Sequence, residues 1–160
     1  MEDYPLLYSD IVFNAKPDAV PYNYRISYKV SQLCLIMFIC GRGSVSSLVK
    51  LHMISFALFS SSNMSRLIEF AEGKGNAPIV RFDPAVNRAL TYAIAYGFAV
   101  QQQNAKFKLT DHGQKLANKI ILVDDIMVNE VASLNDLGKK LTDSKVDELF
   151  ILWRDMYAES

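Results

Sequence analysis

"YGFAVQQQNAKFKLTDHGQKLANKI", residues Tyr96–Ile120, is the stretch that decides the fold. Two short apolar runs, Phe98–Val100 and Phe107–Leu109, flank a polar segment, and this pattern predicts a β-hairpin with Asn104 in its turn. Thr110 follows the second run and is a favourable N-cap residue, so a helix is expected directly after the hairpin.

A helix is also predicted directly before the hairpin. In "IVRFDPAVNRALTYAIAYG", Asp83 is the expected N-cap and Pro84 the first helical residue, a pairing that favours a helix start, and Gly97 is expected to end the helix. The four residues "IVRF" before it predict a short strand. Helix, hairpin and helix in this order are typical of a winged-helix domain. The predicted fold class is therefore mainly α with a small β wing.

The N-terminal half is predicted to supply the centre of the fold. Residues Ile26 to Cys40 have helical spacing and are apolar on nearly every side, which is typical of a buried helix. The cysteines at 34 and 40 lie in this run and are expected to be reduced core thiols. "GRGS" ends the helix, Ser44 is the expected cap of a second one, and Met64–Ala71 predicts a third.

The C-terminal part predicts two further helices. Apolar positions spaced by three and four from Leu116 to Leu134 favour one long helix after Thr110. A last helix is expected after a Thr142 cap. It carries the predicted partner-binding hot spot, in which apolar anchors are ringed by acidic residues: Leu149, Phe150 and Trp153. A core-facing tryptophan is the alternative. Little apolar surface is expected to remain for these helices to pack on, which predicts self-association of the isolated chain.

Length and composition favour one compact unit. With 160 residues and 51% hydrophobic side chains the chain can form a real core. We expect an N-terminal arm over residues 1–24, a helical and winged-helix domain over 25–120, and a C-terminal helical extension over 121–160. The N-terminus lacks the pattern of a signal peptide, and the longest apolar run is too short to cross a bilayer. A cytoplasmic protein without a membrane partner is therefore expected.

The charge of the chain is unevenly distributed. Lysine plus arginine equals aspartate plus glutamate at 17, yet residues 74–119 hold seven basic and two acidic side chains, and residues 120–160 hold four and nine. The basic segment predicts weak DNA binding without sequence preference through phosphate contacts. The candidate contacts are Arg88, Lys106, Lys108, Lys115 and Lys119. A solvated surface and a patch for an acidic protein partner remain the alternatives.

Patterns typical of catalysis are weak in this sequence. "GRGSVSS" resembles a phosphate loop only in its glycines, because it lacks the lysine of that motif. His52 and His112 have no second ligand at metal-binding spacing. Asp124 and Asp125 are adjacent, so they diverge on a helix and cannot pair alone. We therefore expect no catalytic, cofactor-binding or metal site, and a protein that is not an enzyme.

Three segments together resemble a known family. "YRISYKVSQLCLIMFICGRGSVSSLVKLHMISFAL", "VRFDPAVNRALTYAIAYGFAV" and "KFKLTDHGQKL" are similar to the middle component of bacterial ABC-three-component defence systems, the group that includes Lamassu. The resemblance covers residues 24–120. It implies a non-catalytic winged-helix adaptor that links an SMC/Rad50-like ATPase to an effector, expected to be a nuclease, in an antiphage complex. The alternative is a winged-helix DNA-binding transcriptional regulator.

Overall fold

The computed structural model describes residues 25–123 and 125–158, and side chains up to residue 155. The predicted arm at 1–24 lies outside the described residues. Most of the described elements are helices, and there is one small antiparallel sheet. The predicted fold class, mainly α with a small β element, is therefore confirmed. The elements are α1 Ile26–Leu35 with a π-helical turn Ile36–Cys40, β1 Val45–Ser46, α2 Leu48–Ala57, α3 Ser61–Ala71, α4 Pro84–Ala95, β2 Ala99–Gln101, β3 Phe107–Leu109, α5 Asp111–Leu122, α6 Val128–Leu137 and α7 Asp143–Ala158.

Helix α1 lies at the centre of the molecule. Every residue from 28 to 37 is buried. Helices α4, α5 and α6 pack around α1, and α6 also contacts the π-helical turn. Apolar residues on all sides of α1 are what such a central position requires. Cys34 and Cys40 are buried and form no disulfide, and burial raises the pKa of each thiol to about 12. The prediction of a central apolar helix with reduced core thiols is confirmed.

The sheet has the strand order β1-β3-β2. Strands β2 and β3 form the predicted hairpin, and β1, which comes from the α1–α2 connection, adds to β3 with Val45 opposite Lys108. Along β3, Phe107 and Leu109 are buried while Lys108 is exposed, as alternation requires. Asn104 lies in the turn, where its Oδ1 accepts a hydrogen bond from the Lys106 amide at 3.0 Å.

A compact junction joins the hairpin to α5. The amide of Thr110 donates to the carbonyl of Phe98 at 3.0 Å, and the Thr110 hydroxyl donates to the carbonyl of Gly97. The same hydroxyl oxygen accepts the amide of Gly113 at 3.1 Å, which confirms the predicted cap. A Cβ at Gly113 would lie 2.1 Å from the Phe98 carbonyl oxygen. A residue without a side chain is therefore required here.

The remaining helix starts confirm some predictions and correct others. Asp83 caps α4 and Pro84 is its first residue, as expected. Ser44 was the wrong cap for α2: it lies in a turn with φ +61°, and Ser47 accepts the capping hydrogen bond instead. The third helix begins earlier than expected because Ser60 caps it. The segment "IVRF" forms no strand, and two of its apolar side chains are largely exposed.

The prediction of one long helix after Thr110 is wrong. Helix α5 ends at Leu122, and Met127 adopts a left-handed conformation with φ +51° before α6 begins at Val128. An unbroken helix from 111 to 134 would be about 36 Å long and would carry Leu134 away from the core. The break instead returns α6 onto α3 and the π-helical turn, where Leu134 is fully buried.

The C-terminal helices belong to the same core as α1. Leu137, Leu141, Val146 and Leu149 are buried within one cluster with the apolar residues of α1. Apolar surface is therefore available to these helices, and the contrary expectation is wrong. Among the described residues, no helix is both long and apolar enough to cross a membrane.

Candidate functional site

The five predicted phosphate contacts differ in their exposure and in their partners. Arg88 on α4, Lys108 on β3, and Lys115 and Lys119 on α5 are exposed. Lys106 is half-buried, and its Nζ lies 2.6 Å from Oδ2 of Asp143 at the start of α7. The hairpin tip is therefore turned towards the C-terminal helix at Lys106, while the other four cations face solvent.

Lys106 lines a cavity of about 490 Å³, and three further cationic side chains line the same cavity. Arg42 comes from the α1–β1 turn, Lys50 from α2, and Lys139 from the α6–α7 connection. Asp143 is the one carboxylate among the described residues that line it. No pattern in the sequence indicates a role for these three additional cations. They are distant in sequence from Lys106, and only the fold brings them together.

Lys50 is the buried cation of this cavity. The residue is 4% exposed, and its ammonium donates to the carbonyl oxygen of Cys40 at 3.0 Å. Burial lowers the pKa of Lys50, the nearby Asp143 opposes that change, and Arg42 and Lys106 lower the pKa further. A carbonyl uses only one of the three N–H groups of an ammonium. Lys50 lines the cavity, and it therefore has two further N–H groups for other acceptors.

Asp143 balances only part of this charge. Its hydrogen bond with Lys106 holds the pKa of the carboxyl below its ordinary value, so Asp143 is ionised near neutral pH. Helix α7 begins at the same place, and Thr142 caps it by accepting the amide of Lys145 at 3.2 Å. The start of a helix favours anions. Four cations, one carboxylate and a helix start make the cavity suited to hold an anion.

A second polar cluster lies inside the fold and has a different character. The Lys29 ammonium donates to Ser55 Oγ at 3.1 Å, lies 3.8 Å from the Asp83 carboxylate, and stands over the Phe59 ring. Gln32 accepts from Ser55 at 3.0 Å. Burial lowers the pKa of Lys29, and Asp83 acts in the opposite direction. Lys29 is only 1% exposed. We therefore infer that this cluster has a structural role and holds α1, α2 and the start of α4 together.

His52 extends that internal joint. Its Nδ1 accepts the amide of Asp83 at 3.2 Å, so the proton must be on Nε2, which lies 3.1 Å from Oδ1 of Asn87. The ring also packs against Phe82, with centroids 4.8 Å apart. Burial is the main cause that lowers the pKa of His52. His52 is therefore a neutral structural link between α2 and α4.

The predicted partner-binding residues on α7 lie on different sides of the helix. Leu149 is fully buried, which corrects the expectation that it contacts a partner. Trp153 is half-buried on the same stripe, with its ring in edge contact with Phe82 at 6.2 Å. Phe150 is 45% exposed, and so is Ile151, followed by Leu152 at 42%. The outward surface is thus Phe150–Leu152, two residues of which sequence analysis missed.

No protein-family model matches the chain, and neither the curated proteins nor the solved structures give a significant match. Similarity to known proteins therefore does not show its family. The resemblance to ABC-three-component systems rests on the sequence segments quoted above.

Proposed function

We propose that the chain is a non-catalytic winged-helix adaptor that links an SMC-like ATPase to an effector nuclease in an antiphage complex. The quoted segments supply the resemblance to such adaptors. The arrangement of α4, hairpin and α5, with β1 added to β3, supports the winged-helix part of the proposal. The outward apolar surface of α7 carries the adaptor part.

Three consecutive apolar residues are exposed on α7 at positions 150–152. Successive helical residues point about 100° apart, so these three span roughly 200° of the helix circumference. Val146, Leu149 and Trp153 already attach the opposite side to the core. The exposed apolar residues therefore share the outer half of the helix with its polar side chains. Exposed apolar side chains over this much of a helix are typical of a surface that a partner covers.

Acidic residues surround this apolar surface. Asp147, Glu148 and Asp155 are exposed on the same helix. An apolar centre with a charged rim is common in protein interfaces, and complementary charge directs the association. The partner is therefore expected to offer an apolar groove edged by lysine or arginine, and we assign that groove to the ATPase.

Co-purification with a co-expressed SMC-like ATPase tests the adaptor proposal. The test variant replaces Phe150, Ile151 and Leu152 by serine. The matched control is Leu122→Ser, which changes an apolar side chain that is 79% exposed elsewhere. We expect the triple variant to lose the ATPase and the control to retain it, with equal circular dichroism for both. Retention of the ATPase by the folded triple variant would reject α7 as the contact.

The regulator remains a second candidate because four predicted phosphate contacts are exposed on α4, β3 and α5. Base reading by α4 is poorly supported, however. Oδ1 of Asn87 is engaged by His52, and the Thr91 hydroxyl donates to its own helix. Charge reversal at Lys108 should therefore weaken DNA binding by the assembled complex for all sequences and reduce its salt dependence. A tight, sequence-selective complex formed by the isolated chain would favour the regulator.

A further inference from the structure

The cavity beside the hairpin is built by five separate parts of the chain. The α1–β1 turn, α2, the hairpin, the α6–α7 connection and the start of α7 each contribute a lining residue. Its volume of about 490 Å³ lies in the range of sites for small molecules. Because the C-terminal helices share the core with α1, the fold itself holds these lining segments together.

The charge in this cavity is strongly one-sided. Arg42, Lys50, Lys106 and Lys139 face a single carboxylate, Asp143, among the described lining residues. Arg42 and Lys106 are close enough to act on the ionisation of Lys50. Burial and nearby like charges disfavour the charged form of an ammonium, and a bound anion would favour it. The cavity therefore offers a surplus of positive charge to an anion.

We propose that this cavity binds a small polyphosphate anion through its phosphoryl groups. An excess of about three positive charges matches an anion with at least two phosphoryl groups, and charge-assisted hydrogen bonds to phosphoryl oxygens are strong. The start of α7 and the hydroxyl of Ser144 add further favourable contacts. No aromatic residue is among the described lining residues, so recognition rests on the phosphates and not on a stacked base.

Asp143 sets the affinity of this site. Its carboxylate forms an ion pair with Lys106 at 2.6 Å. An incoming anion must therefore share Lys106 with Asp143 or displace Asp143 from it. The polyphosphate site therefore predicts opposite effects for two kinds of substitution. Removing a cavity cation weakens binding, whereas Asp143→Asn removes the competing charge and strengthens it. A surface that binds anions only by overall charge would respond equally to any lysine.

Isothermal titration calorimetry of the full chain with inorganic pyrophosphate tests the proposal at low ionic strength. The variant Lys139→Gln removes an exposed cavity cation, and Lys140→Gln is its matched control, because Lys140 pairs with Glu72 at 2.7 Å and does not line the cavity. We expect 1:1 binding by the wild type, about tenfold weaker binding by Lys139→Gln, unchanged binding by Lys140→Gln, and tighter binding by Asp143→Asn. Absence of pyrophosphate binding, or equal losses for both lysine variants, overturns the proposal.

The source of the phosphoryl groups is decided by competition. ATP that displaces pyrophosphate in the wild type, but not in Lys139→Gln at the same concentration, supports a free nucleotide or polyphosphate as the ligand. A 5′-hydroxyl oligonucleotide that requires Lys139 and is not displaced by pyrophosphate overturns the proposal, because the cavity would then be part of a nucleic-acid backbone surface. These readouts use the isolated chain, so they do not depend on the adaptor proposal.

Discussion

Gly113→Ala should destabilise the fold strongly although it lies in a helix. An added Cβ would stand 2.1 Å from the Phe98 carbonyl oxygen and 2.7 Å from Cδ2 of Leu109. Neither neighbour is free to move. The Phe98 carbonyl also accepts the amide of Thr110 at 3.0 Å, and Leu109 is buried in the core. The substitution therefore forces apart the hairpin and α5.

The magnitude of this effect follows from three contributions. Overpacking of a well-packed site costs about 1–3 kcal/mol. Weakening the Thr110–Phe98 hydrogen bond costs about 1 kcal/mol more. Alanine in place of glycine within a helix returns about 1 kcal/mol. We expect the free energy of unfolding to fall by about 1–3 kcal/mol in total.

Urea unfolding followed by circular dichroism measures this change. Asn118→Ala is the control, because Asn118 is exposed on the same helix and should gain slightly from helix propensity alone. The sign of the effect is decisive. If Gly113→Ala stabilises the protein as Asn118→Ala does, the close approach of the Phe98 carbonyl to α5 is wrong.

Three further predictions concern stability and reactivity. The pKa of His52 is lower in the folded protein than in the unfolded chain, so the unfolded chain binds the proton first as the pH falls. His52 therefore contributes to the free energy of unfolding above about pH 6.5, and this contribution is lost as the pH falls towards the folded-state pKa. Urea unfolding at pH 7.5 and 5.5 should show this loss, and His52→Gln should reduce it. Leu149→Ala should cost about 2–5 kcal/mol and Phe150→Ala less than about 0.5 kcal/mol in the same assay, since only Leu149 is buried. The thiols of Cys34 and Cys40 should react with a disulfide reagent only after unfolding, because burial raises the pKa of both to about 12. Rapid reaction of the native protein would contradict their placement.

Local chemistry made much of the fold predictable. The caps at Asp83 and Thr110 and the hairpin turn at Asn104 depend on residues within a few positions of one another, and all three are as expected. Strand β1 was missed because its two residues are ordered by pairing with β3, about 60 positions later. The helix break at Met127 was missed because the apolar spacing continues across it, while the position of the core decides where the chain turns.

The candidate sites were only partly predictable for the same reason. Helical spacing placed Leu149 and Phe150 on one helix, but the rotation of that helix against the core decides which of them is outward. Lys106 was chosen as a cation of the hairpin, yet its partner Asp143 lies 37 positions away. Arg42 and Lys139 are distant from Lys106 in sequence. The pairing of β1 with β3 brings Arg42 to the hairpin, and the α6–α7 connection brings Lys139 to the same cavity.

The central position of α1 affects how the chain folds during synthesis. Cys40, at the end of its π-helical turn, donates to the carbonyl of Leu134, 94 residues later. At roughly 5–20 residues per second a ribosome needs roughly 5–20 s to synthesise that interval. This central, buried helix is thus made well before the segment that covers it. We therefore expect chaperones that hold apolar segments to bind α1 during this delay, and cellular yield should depend on them more than the stability of the finished fold would suggest.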